Sequence, residues 1–147
     1  MDVLSLTQIK TIEDRKIDEQ IERLTYDQIV AIHLAIEDGE EITFSEKRLK
    51  SNLEFLKQFN DLTLYSTHLL CTMICDDIFE KYNEQTAIAS LDFFLRHNGY
   101  CLDLEKDVDR STIQGLIKTI KEAPELKKDD LKNIQGILTT CIHPIAE

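Results

Sequence analysis

The chain has 147 residues, of which 42% are hydrophobic and 31% charged, with only four glycines and two prolines. That length suits one domain with a sizeable core, and the composition argues against both disorder and a turn-rich β protein. Seventeen Lys plus Arg against 28 Asp plus Glu give a net charge of −11, which repels phosphate backbones and anionic lipid surfaces, so nucleic acid is not expected as a direct partner.

From Gln8 to Leu24, the residues Ile9, Ile12, Ile17, Ile21 and Leu24 recur at mostly three- to five-residue steps and predict an amphipathic N-terminal helix over 1–23. Next, "TYDQIVAIHLAIEDG" predicts a helix opened by a Thr25/Gln28 capping box and stopped by Gly39. The β-branched "EEITF" predicts one extended strand or a short β-hairpin near 40–44, before Ser45 caps a helix carrying Leu49, Leu53, Leu56 and Phe59 on one face. "LTLYSTHLLCTMICDDIF" is apolar or small on every side, as expected of a central helix. A polar hinge, "EKYNEQ", then leads into a helix over Ala87 to His97 that Asn98-Gly99 closes. Two more helices are predicted, one from about Ser111 to Glu122 before Pro124, the other after Asp129 with Leu131, Ile134, Leu138 and Cys141 inward. The fold class read from these elements is all-α, a single domain with at most a short hairpin.

No apolar run reaches the ~18 residues of a bilayer span, and "MDVLSLTQIKTIEDRK" lacks a basic region followed by an apolar one. A cytoplasmic protein with no membrane partner is expected. Cys71, Cys75, Cys101 and Cys141 form no CxxC pair and read as reduced thiols.

The order of central apolar helix, Ile-Phe, Asn-containing loop, Thr-Ala, and a helix ending in Phe-Leu-Arg-x-Asn-Gly resembles the Fic/Doc (Fido) family, especially the death-on-curing branch of toxin-antitoxin systems. That family's signature runs approximately H-x-F-x-[DE]-[AG]-N-[GK]-R-T. Here Asp77 stands at the His, Phe79 at the Phe, Lys81 at the acidic position and Tyr82 at the small residue. Asn83 stands at the Asn, Glu84 at the Gly/Lys, Gln85 at the Arg and Thr86 at the Thr. The resemblance covers about Leu24 to Tyr100 and implies a Fido-like core over 24–100, followed by helices over 101–147. It implies for active members the transfer of AMP, or in the Doc branch a phosphate, from a nucleotide to a protein hydroxyl.

Such transfer needs a base, a metal ligand and N–H or cationic groups around the phosphates. Asp77 is a weaker base than His, and Lys81 cannot ligate a metal while protonated. Tyr82 adds bulk where the family keeps a small residue. Glu84 sets a charge where phosphates would lie, a repulsion of roughly 4 kcal/mol for unit charges 4 Å apart at an effective dielectric near 20. Gln85 removes a bidentate guanidinium. Asn83 is expected to cap the helix and Glu84 to meet its positive end, so that an anion-binding start becomes a self-capped one.

The leading expectation is thus a degenerate Fic/Doc-like protein with no cofactor and no metal, acting on a protein partner as a binding or regulatory module of toxin-antitoxin or mobile-element origin. One alternative is a divergent transferase using ATP and Mg, with Asp77 as base, Asn83 orienting substrate, and Asp76, Asp77 and Glu80 recruiting metal. Another is an acidic nucleic-acid mimic that inhibits a nucleic-acid-binding protein. His68, Cys71 and Cys75 lie at i, i+3 and i+7 and could ligate zinc, but no fourth ligand is evident and buried thiols beside a core histidine are favoured. His33 reads as a packing histidine with one hydrogen-bond partner, and His143 carries no motif.

Overall fold

The computed structural model describes residues 21–38 and 42–145. The predicted N-terminal helix lies outside the described residues except for its last positions, and Ile21 to Leu24 are not helical. Tertiary partners hold that backbone instead. The Asn98 carboxamide accepts from Glu22 N–H (2.8 Å) and donates to its carbonyl (3.0 Å), while Leu24 N–H donates to the buried Tyr65 hydroxyl (3.2 Å). The Arg23 guanidinium donates to the Phe59 carbonyl (2.6 Å) at the end of the second described helix.

Six helices follow. In α1 (Tyr26–Ile36) both halves of the Thr25/Gln28 capping box form, as the sequence predicts, and the helix ends at Glu37; Gly39 lies outside the described residues. In α2 (Glu46–Leu56) the Ser45 hydroxyl accepts from Arg48 N–H (3.2 Å). Asp61 caps α3 (Leu62–Asp76) by accepting from the N–H groups of Thr63 and Leu64. Then α4 spans Asn83–His97, four residues longer than predicted at its start. Helices α5 (Asp107–Glu122) and α6 (Lys128–Thr139) complete the set, α5 stopping before Pro124.

The all-α reading with a short antiparallel pair holds, but the pair sits elsewhere. Strand β1 (Tyr100–Leu102) pairs with β2 (Ile142–Pro144), with Cys101 opposite His143. The extended segment expected at 40–44 is described from Ile42, and that described part pairs with the hinge. Phe44 and Phe79 form an antiparallel bridge, flanked by Ser45 N–H to Ile78 C=O (3.0 Å) and Glu80 N–H to Thr43 C=O (3.0 Å).

The all-round apolar α3 is the centre, as its sequence requires, packing against α2, α4, α5 and α6. Leu69, Leu70 and Met73 of α3 are buried with Leu91, Phe94 and Leu95 of α4, Ile113, Leu116, Ile117 and Ile120 of α5, and Ile134 and Leu138 of α6. Each such side chain contributes about 1.5–3 kcal/mol on removal from water. This core clamps the C-terminal end of α3 and the start of α4, and so fixes where the hinge between them lies. No helix of the described residues is long and apolar enough to cross a membrane.

Candidate functional site

The hinge begins and ends on left-handed backbone. Asp77, with φ 48°, terminates α3, and Tyr82, with φ 59°, precedes α4; these are the two non-glycine residues of positive φ among the described residues. Asp is among the non-glycine residues most often found in that conformation, whereas a bulky Tyr is strained by about 1–2 kcal/mol. Contacts at and beside the hinge offset the strain. Arg48 Nη1 donates to the Asp76 carbonyl (2.9 Å) and satisfies part of the α3 C-terminus. Ile78 and Phe79 turn inward, and the fully buried Phe79 ring stacks on His33 (centroids 4.0 Å) and on Phe44 (5.2 Å).

Asn83 corrects an expectation. It is the first residue of α4 rather than its cap, and α4 has no side-chain cap at all. The buried Asn83 carboxamide accepts from Phe79 N–H (3.0 Å) and donates to the Met73 carbonyl of α3 (2.9 Å). One side chain thereby ties the end of α3, the hinge and the start of α4. It makes no bond to the N–H groups of its own helix, so the helix start is not self-capped.

Glu84 meets a partner on another helix, forming an ion pair with the Lys121 ammonium of α5. The hydrogen bond and charge of Glu84, with a smaller contribution from Asp77, raise the Lys121 pKa. Between these groups lies a cleft of about 320 Å³ whose polar lining includes Asp77, Glu80, Tyr82, Glu84, Gln85 and Lys121. Three carboxylates face one ammonium that is already paired, an arrangement that opposes an anionic ligand despite the uncapped helix start. Lys81 points into solvent.

Thr86 is fully buried, and its hydroxyl lies 2.7 Å from His33 Nδ1. The other ring nitrogen of His33 lies 2.7 Å from Glu37 Oε1, so this histidine has two partners where one was expected. The pair Glu37–His33 was legible as an i, i+4 contact on α1. Lys121 was not: an exposed lysine in a last helical turn carries no motif.

The zinc reading finds no geometry. His68 stacks on Phe59 (4.0 Å, 6°) and burial lowers its pKa, while burial pushes the Cys71 thiol up to about 12, far from a ligating thiolate. Among the described residues no three His, Cys, Asp or Glu side chains converge to hold a metal ion, Asp76, Asp77 and Glu80 included. His143 Nε2 binds the buried Asp109 carboxylate (2.8 Å) and joins β2 to α5. All four cysteines are free. No known family model, no curated protein and no solved structure matches this chain.

Proposed function

We propose that this chain is a Fic/Doc-like protein without transfer chemistry, acting in the cytoplasm as a protein-binding or regulatory module through the outer face of its α3–α4 hinge. The observation that carries this reading is how burial divides the eight signature positions. The three that match the family, Phe79, Asn83 and Thr86, are 0%, 8% and 0% exposed. The five that differ, Asp77, Lys81, Tyr82, Glu84 and Gln85, lie at least partly in solvent. The scaffold side of the hinge is kept because its changes would cost core packing and buried hydrogen bonds; the face where reactants would sit is the one that has changed.

That outer face has the makings of a protein contact. Tyr82 is 48% exposed and rimmed by charged groups, the kind of aromatic anchor that dominates interface energetics. An origin in a toxin-antitoxin system or mobile element is consistent with the resemblance of the hinge and the helix after it. The test is incubation of the pure protein with labelled ATP, Mg²⁺ and cell lysate, beside affinity capture from the same lysate. No transferred label is expected, together with a captured protein whose retention falls at least tenfold in Tyr82→Ala. Label that transfers to protein and disappears in Asp77→Ala would replace this reading with the divergent transferase, which the uncapped start of α4 favours.

A further inference from the structure

We infer that the cleft beside the hinge takes an arginine side chain from a basic segment of the protein partner, received by Tyr82 and the carboxylates of Asp77, Glu80 and Glu84; this rests on the binding-module reading above and names the chemistry of its partner. At about 320 Å³ the cleft is at the small end of the range for ligand pockets, so one protruding side chain, not a folded surface, has to enter it. Its charge selects a cation. Glu84 is paired with Lys121, and among the described residues neither Asp77 nor Glu80 belongs to an ion pair. The uncapped start of α4 adds about half a positive charge, which three carboxylates outweigh.

The kind of cation follows from how the groups are spread. Among the described residues no three acidic or other ligating side chains converge, so a small metal ion would meet too few of them at once. A guanidinium is planar, carries five N–H donors and can serve separate carboxylates while lying against an aromatic face. Tyr82, 48% exposed, lines the cleft and offers that face. The buried Ile74 lines it too and offers apolar surface to the methylene stem. Little of this has to be ordered on binding, because the Asn83 carboxamide already ties the hinge to Phe79 N–H and the Met73 carbonyl. The net charge of −11 favours the approach of a basic segment.

A ¹H–¹⁵N NMR titration of the full chain tests this, with a blocked peptide carrying two arginines among glycines and serines, and its twin with citrulline in place of arginine. The arginine peptide should shift the backbone amides of residues 77–85 and of Lys121, less so as salt rises, and the neutral twin should not. Joint Asp77→Asn and Glu80→Gln should weaken binding about tenfold, and Tyr82→Ala several-fold. Joint Glu105→Gln and Glu125→Gln, an equal change of charge at exposed positions outside the cleft, should leave it unaltered. Lys121→Met frees Glu84 and should tighten binding. No shifts in the cleft, equal binding of the citrulline peptide, equal loss in the two double variants, or weaker binding in Lys121→Met would each overturn the inference. If the cleft rejects the arginine peptide while Tyr82-dependent capture of a lysate protein persists, this inference falls and the binding-module reading stands; label transfer that needs Asp77 removes that reading itself.

Discussion

The starts of α1 and α4 use similar residues to opposite ends. At α1, Thr25 accepts from Gln28 N–H (3.2 Å) and the Gln28 side chain accepts from Thr25 N–H (2.9 Å), so two orphan donors are satisfied within four residues of sequence. At α4, whose N-cap is Tyr82, an asparagine and a glutamate open the first turn and neither serves as a cap: Asn83 reaches back to Met73 and Phe79, and Glu84 reaches across to Lys121. The first arrangement stabilises a helix. The second fastens a loop between two helices, leaves the helix start without a side-chain cap and keeps a Tyr in left-handed backbone. A polar residue next to a helix start therefore caps it only when no tertiary partner competes for its atoms.

The contrast can be broken first from the inner side of the hinge. Phe79→Ala removes a fully buried ring that stacks on His33 and Phe44, and should cost about 3–5 kcal/mol in urea denaturation. Asn83→Ala should follow at about 2–4 kcal/mol, since it orphans the Phe79 N–H and the Met73 carbonyl together. A loss near that of an ordinary cap would show that the carboxamide does not hold the loop. The matching change at α1, Thr25→Ala, should cost about 1 kcal/mol, the usual worth of a cap.

Substitution on the outer face should go the other way. Tyr82→Gly relieves left-handed strain at an exposed position and should stabilise the fold by roughly 0.5–1 kcal/mol, after the greater freedom of glycine in the unfolded chain is deducted. Destabilisation by the same amount would mean that the Tyr82 ring packs against the fold more than it strains it.

Away from the hinge, two groups of α3 contribute pH dependences of opposite sign. Burial raises the Cys71 pKa from 9.0 to about 12, so the unfolded chain loses that proton first; the stabilisation is complete below pH 9 and drains away as pH rises toward 12. His68 has the opposite sign: burial lowers its pKa, so the unfolded state binds its proton first and stability falls as pH drops below 6.5. Denaturation midpoints against pH, in wild type and in Cys71→Ala and His68→Gln, should show the alkaline loss diminished in the first and the acid loss diminished in the second.

The helical class, the caps at Thr25 and Ser45, the central place of α3 and the stop before Pro124 were legible because each rests on residues a few positions apart. The β1–β2 pair was not, since neither three-residue strand has a pattern of its own and each is defined by the other across the chain. The earlier start of α4 was hidden by the polar run 83–86, whose Asn83 and Thr86 are buried through partners outside their own helix.

By itself, then, the sequence determined where the six described helices lie, apart from their exact ends, and which of them is central. Only the tertiary structure decided that Asn83 binds backbone on two sides, that Lys121 reaches Glu84, and that His33 spans Glu37 and Thr86. Local hydrogen bonds and apolar periodicity are encoded within one or two turns of chain. The site is made by groups 10, 37 and 53 positions apart, and only the packing of whole helices brings those together.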